Sequence, residues 1–103
     1  MTLEEFGPII KKIREHLAMS QLEVARELGC KNGILSRLEL GLGGTIELAF
    51  KVVSFYQSKG IRTHMIFAEP FNEEWLYVDP NEQLIKELKS ISGLVDKFIK
   101  QAP

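Results

Sequence analysis

A run of twenty residues, from Gln21 to Leu40, leaves few folds open to this chain. Its apolar residues are spaced as two short helices require when they cross at a steep angle and share one core. Gly29 lies between the two helices, where the chain needs a positive φ that only glycine adopts without strain. The shared apolar positions are Val24, Leu28, Cys30, Leu35 and Leu38, with the small Ala25 at the closest approach. The pattern predicts a helix-turn-helix.

Local capping signals predict four helices within residues 1–58. Thr2 and Glu5 form a capping-box pattern at the first helix, but Pro8 predicts that its regular part begins only near Gly7. Ser20 is expected to cap the second helix. The other boundaries are expected at Leu28, Asn32, Leu40 and Thr45. The fourth helix is expected to turn Ile46, Ala49, Val52, Val53 and Tyr56 toward the core.

The composition changes after Lys59, and residues 59–103 are interpreted as a dimerisation region. The β-branched and apolar stretch from Ile61 to Ala68 predicts a strand. Residues 71–78 fit either a second strand, which would complete a hairpin, or a helical turn capped by Asn72. Asp79 and Pro80 then predict the start of a last helix.

An apolar seam follows the predicted start of the last helix. Its residues recur at spacings of 4, 3, 4 and 3: Leu84, Leu88, Ile91, Val95 and Phe98. Such a heptad-like spacing is typical of a helix that contacts another helix along one face. We interpret the seam as a dimer contact, because the first helices already have partners for their apolar faces. The alternative is a helix packed on its own domain.

Composition limits the function classes. The chain has 103 residues, 45% of them apolar and 26% charged, as in one soluble globular domain. It contains no apolar run long enough for a membrane span and no signal-peptide pattern, and the single cysteine, Cys30, fits a reducing compartment. A cytoplasmic protein with no membrane contact is therefore expected. The net charge of −1, with seven basic and seven acidic residues in 1–58, does not by itself indicate nucleic-acid binding.

No catalytic or cofactor motif is recognisable. His16 and His64 are far apart, and no Cys/His spacing typical of a metal site occurs. Gly41, Gly43 and Gly44 are not followed by the Lys-Ser/Thr of a phosphate-binding loop. The sequence therefore predicts a protein that is not an enzyme and that holds neither a metal nor a cofactor.

The segment from Ile9 to Tyr56 resembles the Cro/cI-type, or Xre, family of helix-turn-helix proteins. The matching letters are I-x-x-I-R in the first helix, S-Q-x-x-x-A-x-x-L-G in the second and I-L-S-R-L-E-x-G in the third. The resemblance implies a mainly α fold: a lambda-repressor-like helix-turn-helix domain over 1–58, then a small β element and a C-terminal dimerisation helix over 59–103. It also implies a structural pair between Arg14 and Glu39.

The same resemblance implies a homodimer that binds double-stranded DNA in a sequence-specific manner and regulates transcription. Positions that match the DNA contacts of the family are Ser20, Gln21, Lys31, Asn32, Gly33, Ser36 and Arg37. Of these, Ser20, Gln21 and Lys31 are placed for phosphates, whereas Asn32 and Arg37 have the chemistry to read adenine and guanine.

The chain departs from the family pattern at several of these positions. Gly33 lacks a side chain at a base-reading position, and Leu40 and Leu42 stand where relatives usually carry polar or basic residues. Two other functions therefore stay open. One is an antitoxin that binds DNA and sequesters a toxin through residues beyond Lys59. The other is a protein-interaction module that has lost its DNA affinity.

Overall fold

A computed structural model describes residues 1–79 and Asn81. Within that part the chain forms four α-helices: α1 (Leu3–His16), α2 (Gln21–Leu28), α3 (Asn32–Glu39) and α4 (Ile46–Ser58). Two short 3-10 helices follow, Thr63–Phe67 and Glu73–Leu76. The predicted mainly helical class is confirmed. The predicted C-terminal helix, with its seam residues Leu84, Leu88, Ile91, Val95 and Phe98, lies outside the described residues.

One apolar core joins the four α-helices and both 3-10 helices. Burying a side chain of this size contributes about 1.5–3 kcal/mol, so these contacts dominate the stability of the fold. The largest fully buried side chains are Ile10, Ile13, Val24, Leu35, Leu38, Val52, Tyr56, Ile66 and Leu76. Because Ile66 and Leu76 belong to the 3-10 helices, the segment from Thr63 to Leu76 contributes to the same core.

α1 is a continuous helix through Pro8, so the predicted late start near Gly7 is wrong. The helix begins at Leu3, and the Thr2 Oγ1 accepts a hydrogen bond from the Glu5 backbone N–H at 3.2 Å. Pro8 lies on the exposed side of the second turn and removes one helical N–H donor. Burial of the apolar residues on either side of it outweighs that loss.

The predicted boundaries of α2 are confirmed. The Ser20 Oγ accepts from the Glu23 backbone N–H at 3.1 Å, and the Glu23 Oε1 accepts from the Ser20 backbone N–H at 3.2 Å. This reciprocal capping box satisfies two donors that the helix itself cannot pair. Gly29 ends the helix with a φ of 69°, in the left-handed region that it was predicted to adopt.

α4 begins after Thr45, whose Oγ1 accepts from the Leu48 backbone N–H at 3.0 Å, as predicted. Its buried side chains are Leu48, Val52 and Tyr56. Ile46 was expected to face the core, but its side chain is 76% exposed. Leu48, which was not among the residues expected to face the core, is buried instead.

The strand predicted for residues 61–68, and with it the small β element, is wrong. Thr63–Phe67 is a 3-10 helix, and the described part of the chain contains no strand. Thr63 and Ile66 are buried while Phe67 is exposed, so burial follows a spacing of three rather than two. Apolar and β-branched residues favour a strand only when a partner strand pairs with them.

Residues 71–78 adopt the helical-turn alternative. Glu73–Leu76 is a 3-10 helix, and the Asn72 Oδ1 caps it by accepting from the Glu74 backbone N–H at 3.0 Å. Arg62, just before the first 3-10 helix, contacts this turn: its backbone N–H donates to the Leu76 carbonyl at 2.9 Å. The Arg62 guanidinium also donates to the carbonyls of Trp75 and Val78, at 3.3 and 3.2 Å.

Gly7 allows α1 to approach the end of α3 at backbone distance. A Cβ atom at this position would lie 2.5 Å from the Leu38 carbonyl oxygen and 2.7 Å from that of Glu39. No side chain fits there unless one of the two helices shifts. The sequence gives no local signal of this contact, because it depends on how two separate helices meet.

We predict that Gly7→Ala destabilises the protein by about 1–3 kcal/mol, the usual cost of overpacking a core. Backbone carbonyls cannot yield to the new methyl group as a flexible side chain does. The matched control is Gly33→Ala, at a helical position where an added Cβ meets nothing within 4 Å. That substitution should gain up to about 1 kcal/mol from helix propensity. Urea unfolding measures both, and a stabilising Gly7→Ala would contradict the close contact.

Candidate nucleic-acid interface

α3 has one face in the core and the other in solvent. Its buried residues are Leu35, Leu38 and Glu39, and it packs against both α1 and α2. The opposite side carries Lys31, Asn32, Gly33 and Arg37, all exposed, and the partly buried Ser36. These five residues are named here the α3 surface. The structure therefore brings five of the seven predicted DNA-contact positions onto one side of one helix.

The beginning of α3 differs from the beginnings of α1, α2 and α4, which Thr2, Ser20 and Thr45 cap with their side chains. Lys31 occupies the N-cap position of α3 and makes no side-chain cap hydrogen bond. A helix start has unpaired N–H groups and a partial positive charge, so it favours a negatively charged group such as a phosphate. The Lys31 ammonium adds a full positive charge at the same end.

Ser20 and Gln21, the other two predicted positions, lie at the start of α2. The Ser20 oxygen accepts the capping hydrogen bond, which leaves its hydroxyl hydrogen available to donate. The Gln21 Nε2 donates to the Glu39 Oε1 at 2.9 Å. One N–H of the Gln21 amide is therefore used within the protein. The second N–H and the side-chain carbonyl oxygen remain available to another partner. This bridging bond was not predicted, because sequence spacing does not show that Gln21 and Glu39 meet.

Glu39 is the centre of a network that joins three helices. Glu39 is 2% exposed, and its carboxylate accepts two hydrogen bonds from Arg14, from Nε at 2.8 Å and from Nη2 at 3.1 Å. Arg14 also donates to the Met19 carbonyl at 3.0 Å. The structure thus brings Arg14 and Glu39 together as a bidentate pair, the strongest geometry for these two groups. The hydrogen bond to Glu39 raises the pKa of Arg14 above its ordinary value, against the effect of desolvation.

Arg37 lies along the loop between α3 and α4 and stays exposed. Its Nη2 is 3.5 Å from the Leu42 carbonyl oxygen, a distance at the weak limit of a hydrogen bond. Gly43 lies beside the guanidinium, since an added Cβ there would be 3.4 Å from Nη2. The weak contact leaves the guanidinium free to exchange the carbonyl for another acceptor.

The surroundings of the α3 surface are not strongly basic. Lys31 and Arg37 are the charged residues of this surface, whereas Glu23 and Glu27 are exposed on α2 beside Arg26. Apolar side chains are exposed close by as well: Leu22, Ile34, Leu40 and Leu42. The surface combines two cations with apolar neighbours, which suits either base edges and phosphates or a protein partner.

Tyr56 lies beneath the network of Arg14 and Glu39. Its side chain is fully buried, and its hydroxyl has no hydrogen-bond partner among the described residues. Burial raises the pKa of Tyr56 well above its usual range, and the negative charge of Glu39 raises it further. A tyrosine in this position stays neutral at every physiological pH.

The described residues contain no group of three His, Cys, Asp or Glu side chains that could hold a metal ion. Over the same residues, no helix has the length and apolarity to cross a membrane.

Comparison with known proteins matches the segment that contains α2, α3 and α4. Residues 10–59 match the family model described as helix-turn-helix. A provisionally named HTH-type transcriptional regulatory protein of Methanoculleus marisnigri is 25% identical over 99 residues, which cover 94% of this chain. The chain spans 32% of the length of that relative. No solved structure matches the chain.

We predict that Arg14→Ala and Glu39→Ala each lower the free energy of unfolding by about 3–5 kcal/mol, because each leaves a buried charge without its partner. The double variant should lose clearly less than the sum of the two. The control is the exposed pair of Lys51 and Glu47, 3.5 Å apart on α4, where Lys51→Ala should cost at most about 0.5 kcal/mol. Additive losses for Arg14 and Glu39 in urea melts would show that the pair does not couple.

We predict that Tyr56→Phe does not lower stability at pH 7, since it removes a buried hydroxyl that has no partner. Because the pKa of Tyr56 is raised on folding, the folded state holds more protons above pH 10, and stability is lost as the pH rises beyond that value. Tyr56→Phe should reduce this alkaline loss. The control is Tyr77→Phe, which removes the other buried hydroxyl that has no partner. This variant should retain the alkaline loss of stability that Tyr56 causes. Parallel melts at pH 7 and above pH 10 test both variants, and an unchanged alkaline loss in Tyr56→Phe would contradict the assignment.

Proposed function

Because residues 10–59 belong to the helix-turn-helix family, we propose that this chain is a sequence-specific DNA-binding regulator of transcription that acts as an Xre-type homodimer. The observation that carries the proposal is the division of α3. Its inner face is fixed in the core, and its outer face presents Lys31, Asn32, Ser36 and Arg37 to solvent. In this motif the second helix lies in the major groove, where such side chains reach base edges.

Each residue of the α3 surface has a role that its chemistry supports. Arg37 donates two parallel hydrogen bonds to the O6 and N7 of a guanine, and Asn32 pairs with an adenine. Ser36 offers a hydroxyl to a neighbouring base or phosphate. Gly33 has no side chain, so it lets the backbone of α3 approach the floor of the groove but reads no base.

Phosphate contacts position the domain and come from two helix starts. Ser20 and Gln21 at α2 and Lys31 at α3 donate to backbone phosphates on either side of the groove. Gln21 uses the amide hydrogen that Glu39 leaves free. The α3 surface has few cations, and the chain has a net charge of −1. We therefore expect a modest affinity for non-specific DNA, so that tight binding depends on contacts with specific bases.

The homodimer is proposed to form through residues 84–98, which lie outside the described part of the chain. A two-fold dimer of this motif reads two half-sites about 34 Å apart, one turn of DNA, or a multiple of that distance. The operator is then an inverted repeat with that spacing.

A second candidate is a protein-interaction module that has kept the fold without DNA affinity. The exposed apolar side chains of Ile34, Leu40 and Leu42, next to the α3 surface, favour it. Salt dependence separates the two candidates, because phosphate contacts weaken steeply as salt rises and apolar contacts do not.

We predict that Arg37→Ala relaxes the preference at one base position in each half-site, since an arginine–guanine pair discriminates by about 1–3 kcal/mol. Lys31→Ala is the control, and it should weaken binding to all sequences alike and reduce the salt slope by about one phosphate. Both residues are exposed, so neither substitution should change the melting temperature. Selection of bound duplexes from random DNA, followed by titration of the selected duplex at several salt concentrations, measures both effects.

Two results would contradict the regulator. The first is wild-type protein that binds no DNA in a salt-sensitive manner at low ionic strength. The second is an unchanged base preference in Arg37→Ala together with unchanged affinity in Lys31→Ala.

A further inference from the structure

Ile34 is an apolar residue of α3 that lies outside the core. Its side chain is 45% exposed, and it belongs neither to the buried core nor to the partly buried residues packed against that core. Helix propensity does not explain its presence, because a β-branched residue is less favourable than alanine at an exposed helical position. A single exposed apolar side chain is ordinary, so the feature that distinguishes Ile34 is its set of neighbours.

Three exposed residues follow one another along α3 at a spacing of three: Lys31, Ile34 and Arg37. Residues three apart are neighbours on a helix surface, with about 5–6 Å between their Cβ atoms. The Ile34 backbone N–H donates to the Lys31 carbonyl at 3.0 Å, so this spacing begins with the first turn of the helix. Ile34 therefore lies between the cation assigned to a phosphate and the cation assigned to a guanine.

The first turn of α3 gives Ile34 access to a base. In a helix-turn-helix, the residues at the start of the second helix are those that contact base edges. A helical side chain leans toward the N-terminus of its helix, so Ile34 leans over this first turn. There Gly33 has no side chain, and an added Cβ would meet nothing within 4 Å. A base edge can therefore approach Ile34 from the side of Gly33 without meeting another side chain.

The chemistry of the major groove leaves one complement for an aliphatic side chain. The base edges there present hydrogen-bond donors and acceptors, and the one methyl group among them is the C5-methyl of thymine. An isoleucine placed against a donor or an acceptor would desolvate it without replacing its hydrogen bond, which is unfavourable. Placed against a methyl group, the same side chain removes apolar surface from water on both partners.

We propose that Ile34 is a specificity-determining residue that reads a thymine through its C5-methyl group. The proposal rests on the proposed DNA-binding function, and it adds an apolar base contact to the hydrogen bonds assigned to Asn32 and Arg37. Base pairs are stacked about 3.4 Å apart, and the Cβ atoms of Ile34 and Arg37 are expected about 5–6 Å apart. We therefore expect the thymine, on either strand, within two base pairs of the guanine that Arg37 reads.

Uracil substitution tests this contact, because uracil differs from thymine only in lacking the C5-methyl group. The full chain is titrated with its selected duplex and with duplexes in which single thymines of one half-site are replaced by uracil. For the wild-type protein, the replacement at one position should weaken binding about fourfold, the effect of one buried methyl group. Ile34→Ala removes the interaction, so it should bind these two duplexes with affinities within about 1.5-fold of each other.

Leu40→Ala is the matched control. Leu40 is also apolar and is 62% exposed, but it lies at the opposite end of α3. This variant should keep the full difference between the thymine and uracil duplexes. Ile34→Ala should keep the melting temperature of the wild-type protein, because the substitution removes no core contact.

Two results would overturn the proposal and leave the DNA-binding regulator standing. One is salt-sensitive binding of the selected duplex that no uracil replacement weakens. The other is a uracil effect of equal size in the wild-type protein and in Ile34→Ala, since the methyl group would then act through the shape of the DNA. Wild-type protein that binds no duplex would overturn both the regulator and the thymine contact.

Discussion

The arrangement of the helices depends on the buried carboxylate of Glu39. It stands at the end of α3 and accepts hydrogen bonds from Arg14 of α1 and Gln21 of α2. A buried carboxylate without these donors would be strongly unfavourable, so all three helices are held in the one orientation that supplies them. The close approach at Gly7 acts at the same place, since it brings α1 against the carbonyls of Leu38 and Glu39.

Fixing the end of α3 also fixes what its outer face presents. Leu35 and Leu38 are in the core, so rotation of α3 about its axis would expose them or bury Lys31 and Arg37. Recognition and stability therefore use different residues of the same helix. A substitution on the exposed side can therefore change recognition without disturbing the close approach at Gly7 or the pairing of Arg14 with Glu39.

Much of the helical domain could be predicted because its signals are local. Ser20 with Glu23 and Gly29 define the ends of α2 through bonds within a few residues, and the structure has both. Arg14 and Glu39 are 25 residues apart in sequence, and only the family resemblance indicated that they pair. The Gln21 bond and the backbone contact at Gly7 had no sequence signal at all, because each is created by the angle between helices.

The incorrect predictions share a physical cause. The strand at 61–68 was inferred from residue type, but strand formation depends on a partner that the described chain does not provide. Pro8 was treated as a break, but burial on both sides of it maintains α1. In each case tertiary contacts outweighed a local preference of about 1–3 kcal/mol. The seam from Leu84 to Phe98 stays a prediction, since it lies beyond the described residues.

The most direct test of DNA recognition by the outer face of α3 is a backbone amide NMR titration of the full chain with its selected duplex. We expect the largest chemical-shift changes at residues 31–37 and at Ser20 and Gln21, with little change at Phe50 and Phe67. Changes that are confined to the surroundings of Phe50 and Phe67 would contradict it. So would equal changes with an unrelated duplex that are lost for both duplexes as salt is raised.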